Sequence, residues 1–144
     1  MAIQHIVCCT DFSENSESAF KMALEMAEKY EARLTILHVV PPIINPLFGN
    51  SERMVPEQAR KSLINQLEEQ MQQDYGNPIG NRVEHELVVQ TGHVSTEIIN
   101  YLKDKKADIV IMGAFGLSGM GLVIFGSVAK RVAHRAPCSV LVVR

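Results

Sequence analysis

Gly113, Gly116, Gly126 and Ser127 are spaced G-x2-G-x9-G-S between an apolar run and an amphipathic segment. Glycine lets backbone N–H groups close on an anion with no side chain in between. A serine at a helix start adds a hydroxyl at the positive end of the helix dipole. The chemistry of such a loop is that of a phosphate cradle, suited to a nucleotide. The same stretch, 109–129, carries no charge and is long enough to cross a bilayer. Its five glycines cluster rather than lining one packing face, and each weakens a helix by about 1 kcal/mol relative to alanine. The expected parse is therefore a buried strand over 109–112, a loop over 113–125 and a helix opening at Gly126 or Ser127, with no membrane insertion.

The elements that must carry this loop follow from periodicity. A strand over 3–9 is followed by an N-cap at Ser13, acidic Glu14 and Glu17 in a first helical turn, and Phe20, Leu24, Ala27 and Tyr30 at helical spacing. A second strand over 33–40 stops at Pro41 and Pro42. After a long Pro- and Asn-containing segment, Pro56 at N1 opens a helix with Ala59, Leu63, Leu67 and Met71 on one face, ended by Gly76, Asn77 and Pro78. Residues 82–89 alternate as a half-exposed edge strand. A helix carrying Val94, Ile98, Ile99 and Leu102, the strand at 109, the helix after the glycine loop and a strand over 138–143 complete a βαβαβαβαβ order. That alternation predicts one α/β domain over 1–144, a doubly wound five-stranded parallel sheet in the order 3-2-1-4-5 with helices on both faces. Ligands of such sheets sit beyond the strand carboxyl ends where the order reverses, so Thr10 and Asp11 would face the Gly113 loop.

Composition narrows the classes further. With 144 residues, 47% hydrophobic and 21% charged, a formal net charge of −2 and a pI near 6.2, the chain has a globular core and no global attraction to nucleic acid. The N-terminal apolar run is too short for an export signal and is broken by Asp11, so a cytoplasmic location is expected. Cys8, Cys9 and Cys138 fit neither a disulfide framework nor a zinc spacing and read as small buried hydrophobes. His38 reads as a satisfied core histidine. Lys130, Arg131 and Arg135 read as a solvated helix face, with Lys130 near enough to Ser127 to reach a phosphate. Taken alone, Asp11 and Ser127 are equally well explained as helix caps.

IVCCTDFSE at the first strand end, HVV at the second, and GAFGLSGMGLVIFGSVAKRVAHRAPCSVLVVR at the C-terminus resemble the universal stress protein family, in its ATP-binding branch, over essentially the whole chain. The resemblance implies a nucleotide site in which Asp11, next to Thr10, contacts adenosine and Val39 presents backbone groups to the adenine edge. It further implies that Gly113, next to Met112, passes close to the ribose, while Gly116, Gly126, Ser127 and Val128 hold phosphates. The implied ligand is ATP, AMP or ADP, with Mg2+ bound through the phosphates. No Walker-type loop and no nucleophile–base arrangement is visible. The expected function is thus a nucleotide-binding regulator of stress or energy signalling, homodimeric through strand 138–143 and open to a protein partner. The alternatives are a slow ATPase or adenylate hydrolase using Asp11, and a dimeric interaction module without nucleotide. The apolar residues Ile43, Ile44, Leu47 and Phe48 in the segment 41–55 are read as a lid, a partner surface, or packing onto the second helix.

Overall fold

The structure, a computed structural model, describes residues 2–42, 56–115 and 126–144. Five strands, β1 (His5–Cys9), β2 (Arg33–Val40), β3 (His85–Thr91), β4 (Ile109–Gly113) and β5 (Ser139–Val143), pair in parallel in the order β3-β2-β1-β4-β5. This is the doubly wound sheet that the alternating pattern predicts. β1 is the hub: Ile6 lies level with Leu34 on one side and Ile109 on the other, and the whole of β1 is buried. The helical elements are α1 (Glu14–Tyr30), α2 (Glu57–Met71), a π-helical turn (Gln72–Gly76), α3 (Asn77–Ile79), α4 (Val94–Asp104) and α5 (Ser127–Arg135).

Successive strand residues point to opposite faces, which splits the core in two. Ile6, Cys8, Leu34, Ile36 and Ile111 pack with Phe20 and Leu24 of α1 and with Met71, Tyr75 and Ile79. Val7, Cys9, Leu37, Val39, Val110 and Met112 pack with Ile98, Tyr101 and Leu102 of α4 and Ala129 and Val132 of α5. The two adjacent cysteines therefore belong to different cores. Burial pushes the Cys8 thiol well up and Cys9 to about 12, so both are protonated hydrophobes as their neighbours imply.

Local rules explain α1. The Ser13 side chain accepts the Ser16 N–H at 3.3 Å, Glu14 and Glu17 face the positive end of the dipole, and a left-handed Glu31 (φ 53°) closes the helix. That left-handed turn corrects one expectation. It swings Ala32 into the core, its N–H on Ala27 O at 2.9 Å, and leaves Tyr30 47% exposed.

The second helical stretch departs further from its pattern. Pro56 is the N-cap rather than N1, Ala59 is exposed, Leu63 and Leu67 are half-buried, and only Met71 of that face is fully buried. Gly76, Asn77 and Pro78 do not end it either. The chain widens into the π turn, with Asn77 N–H bonded to Gln72 O, and runs on to Gly80, whose φ of 52° stops it. A proline ring in an α-helix collides with the carbonyl four residues back, and a widened turn ahead of Pro78 relieves that collision. The same turn keeps Met71, Tyr75 and Ile79 on the core side. In a regular α-helix Ile79 would lie about 80° around from Met71.

β3 is a half-exposed edge strand as its alternation implies, and β5 forms the opposite edge. Among the described residues no helix is long and apolar enough to cross a membrane. The uncharged stretch from Ile109 begins as a sheet strand. Gly116 with the loop to 125, and residues 43–55 of the segment 41–55 read as a lid, partner surface or packing element, lie outside the described residues.

Gly113, at the end of β4, has a packing reason to be glycine. A Cβ there would sit 2.8 Å from Asn15 Cβ and 2.9 Å from the Asn15 backbone carbon, so α1 rests directly on the β4 backbone. Gly113→Ala is therefore expected to destabilise the fold by about 1–3 kcal/mol, seen as a lower urea midpoint with unchanged slope. An unchanged midpoint would show that the contact yields at no cost.

Candidate functional site

Parallel pairing sets the carboxyl ends of β1 and β4 side by side, while the chain leaves β1 for α1 on one face and continues from β4 to α5 on the other. A crevice opens between the two departures. It contains a cavity of about 540 Å³, lined by Thr10, Asp11, Val39, Met112, Gly113, Gly126, Ser127 and Val128. These are all the site residues expected from the sequence except Gly116, which lies outside the described residues. Leu37, Pro41, Val94, Ile98 and Ala129 complete an apolar slot between two polar ends.

The first polar end is the turn after β1. Asp11 Oδ1 accepts the Ser13 N–H at 3.0 Å and the Ser16 hydroxyl at 2.7 Å, while Ser16 Oγ accepts the Asp11 N–H at 3.0 Å. This closed ring of bonds ties the carboxylate to the start of α1. Phe12 takes the left-handed φ of 66°, uncommon for a residue with a bulky side chain, and its N–H is held by Thr10 Oγ1 at 2.9 Å. Two groups brace that turn from neighbouring elements. The Tyr75 hydroxyl, carried on the π turn, bonds Thr10 Oγ1, and His38 Nδ1 lies 2.7 Å from Thr10 O. A carbonyl oxygen only accepts, so His38 donates from Nδ1. Phe12 lies 4.8 Å from the His38 ring and 6.0 Å from that of Tyr75, with Phe20 4.9 Å beyond. Burial raises the Tyr75 phenol to about 12, the Thr10 bond opposing it.

The second polar end is the start of α5. Gly126, not Ser127, is the N-cap and supplies no side-chain bond, so Ser127 stands at N1. The strand end and the helix start are clamped together: Gly126 N–H donates to Ala114 O at 2.6 Å and Ala114 N–H to Val143 O at 2.8 Å. Ser127, Val128 and Ala129, the first helical residues, whose N–H groups have no acceptor within the helix, line the cavity. Their dipoles give that wall a partial positive charge.

Chemically the slot suits binding. Its ionisable lining is Asp11, engaged in its turn, His38, donating to Thr10 O, and Cys9, held as a thiol by burial. Among the described residues no three His, Cys, Asp or Glu side chains converge as a metal cage. An apolar slot ending in backbone donors matches a flat, partly apolar ligand that bears an anionic tail.

A family model described as the universal stress protein family matches residues 2–144. The chain belongs to the universal stress protein family. It is 31% identical to universal stress protein MJ0531 of Methanocaldococcus jannaschii, over 96% of this chain and 81% of that one. Among solved structures it is similar to universal stress protein UspA from Lactobacillus plantarum, with a TM-score of 0.83, 23% identity, and 100% and 99% of the two chains covered. It is also similar to the universal stress protein from Archaeoglobus fulgidus solved in complex with dAMP, with a TM-score of 0.70, 19% identity and both chains covered in full.

Sequence reasoning missed Ser16 and Tyr75. Ser16 stands five residues after Asp11, a spacing that a helix-start rule could have flagged. Tyr75 reaches Thr10 across 65 positions through a π turn that no local rule foresees. Tyr75→Phe keeps the ring packing and removes only the hydroxyl, so about 1–2 kcal/mol of stability should be lost in chemical denaturation. Because the folded phenol titrates near 12, above the ordinary tyrosine value, its contribution is complete below about pH 10 and fades as pH rises toward 12. The variant should lack that component of alkaline destabilisation. Equal stability of both proteins across that range would remove the brace.

Proposed function

We propose that this chain is an adenine-nucleotide-binding regulatory protein of stress or energy signalling, with ATP, AMP or ADP as ligand. The observation that carries the reading is the start of α5, whose Gly126 cap supplies no side-chain bond, opening onto an apolar slot whose other end is the Asp11 turn. In this reading the base lies between Val39 and the α4 residues Val94 and Ile98, and Asp11 with Thr10 meets the ribose side. Met112 and Gly113 form the floor at the end of β4. The phosphates rest on the N–H groups of Ser127 and Val128, with Gly126 leaving room and Gly116 adding to the cradle. The dAMP complex of the Archaeoglobus fulgidus protein supports the ligand class. The Asp11 ring of hydrogen bonds favours binding over catalysis, because the carboxylate serves the turn. Mg2+ in this reading is held through phosphate oxygens, since no protein cage is present among the described residues.

Ser127→Pro tests the site with little damage to the fold. Proline is well tolerated at N1, and Gly126 already has the extended φ −66°, ψ 158° that a following proline requires. The substitution deletes one N–H and the hydroxyl, so ATP affinity measured by calorimetry should fall about tenfold or more. An unchanged affinity in a folded variant would refute the cradle.

We also propose that the protein pairs through β5, which among the described residues has a strand on one side only. Light scattering at micromolar concentration should give the mass of a dimer. A monomer would sink that part of the reading.

A further inference from the structure

We propose that a second groove beside the cavity binds a run of linked phosphates, so that ligands with a long polyphosphate are preferred to a monophosphate. The nucleotide source of those phosphates rests on the function proposed above, whereas the groove itself does not.

The groove, about 800 Å³, is lined by Lys130, Arg131, His134 and Arg135 of α5 together with His93 and Ser95 at the start of α4. Among the described residues no carboxylate belongs to its lining. It shares Pro41, Val94, Ser127 and Val128 with the candidate cavity, so the two are continuous across the start of α5. An anion seated at Ser127 thus meets the groove on its far side.

Charge sets this face apart from the rest of the chain. The formal net charge is −2, yet α5 reads SVAKRVAHR, with three permanent cations and no acid. The ion pairs among the described residues are Lys21–Glu17, Lys61–Glu57 and Arg82–Glu28, so α5 takes part in none. Arg131 and Arg135 stand four apart, a like-charge spacing that weakens a helix by a few tenths of a kcal/mol. Lys130, in the first turn, also sits where the dipole disfavours positive charge, whereas His134 and Arg135 stand in the last turn, where it is favoured. These local rules are broken together on one groove wall, as happens where a ligand supplies the missing opposite charge. The residues 117–125, LSGMGLVIF, contain no cation, so neutralisation of phosphates beyond the helix start falls to α5. From Ser127 to Arg135 the wall runs about 12 Å along the helix axis. One phosphate cannot use that length, and several in a row can.

Two sources share this chemistry, the tail of a nucleotide seated in the cavity and free inorganic polyphosphate. Calorimetry with tripolyphosphate at about 0.1 M salt should show binding to the native chain, reduced about tenfold or more in Lys130→Gln/Arg131→Gln. Both side chains are exposed, and circular dichroism checks the fold. Lys130→Arg, which keeps the charge, should keep binding. If the phosphates are a nucleotide's tail, tripolyphosphate competes with ATP and the double variant lowers the ratio of ATP to AMP affinity about tenfold. If they are inorganic polyphosphate, the double variant weakens tripolyphosphate binding and leaves the ratio of ATP to AMP affinity unchanged. No binding of tripolyphosphate to the native chain, or equal binding to native and double-variant chains, overturns the groove. AMP reads the cavity alone, so tripolyphosphate binding without AMP or ATP binding would refute the nucleotide reading and retain the groove as an inorganic polyphosphate site.

Discussion

The parallel pairing of β1 with β4 is the constraint on which the rest of the molecule depends. Val7 level with Val110 and Cys8 level with Ile111 place the two strand ends together, and the connections then leave toward opposite faces. No side chain has to be bent to create the resulting crevice. The start of the pair is held as firmly as its end. Asp108 accepts the N–H groups of Gln4 and His5 at 2.9 Å each, joining the chain before β4 to the start of β1. At the other end Thr10 N–H bonds Leu37 O at 2.9 Å, and Gly126 closes on Ala114. The cavity lies beyond strand ends whose relative position is set by hydrogen bonds at both ends of the pair.

Much of this was legible in the residues. The strands of a parallel sheet covered on both faces are nearly continuous apolar runs, and IVCC, LTILHVV and IVIM announce themselves that way. Ser13 with Glu14 and Glu17 follow rules that act within one turn of helix. The same locality explains which of the expected residues line the cavity: Thr10, Asp11, Met112 and Gly113 stand at strand ends, and Gly126 and Ser127 at a helix start. Val39 came from family resemblance rather than from any local signal.

What was illegible depended on distant contacts. Gly113 read as a glycine kept for a ligand, and its missing side chain also makes room for Asn15 on α1. Tyr30 fell on the apolar spacing of α1, yet Ala32 takes the core position after the chain reverses at Glu31. The bond between Tyr75 and Thr10 and the donation from His38 to the same residue join three separate elements beneath one turn. Helix-breaker rules placed an end at Gly76, where the chain instead spends one extra residue on a wider turn and continues.

That extra residue has a consequence for how the chain can change over time. Substitutions at Gln73 or Asp74 fall on the solvent side of the turn and leave its winding alone. Loss of a single residue between positions 72 and 76 would leave Met71 and Ile79 seven apart, within about 20° of one face of a regular α-helix, so both would keep the core side. The same loss would return the Pro78 ring to its collision with the carbonyl four residues back. The stretch is tolerant of spelling, and its length is tied to one proline. A lineage can therefore rewrite its outward letters freely, whereas a one-residue gap there would call for the replacement of Pro78.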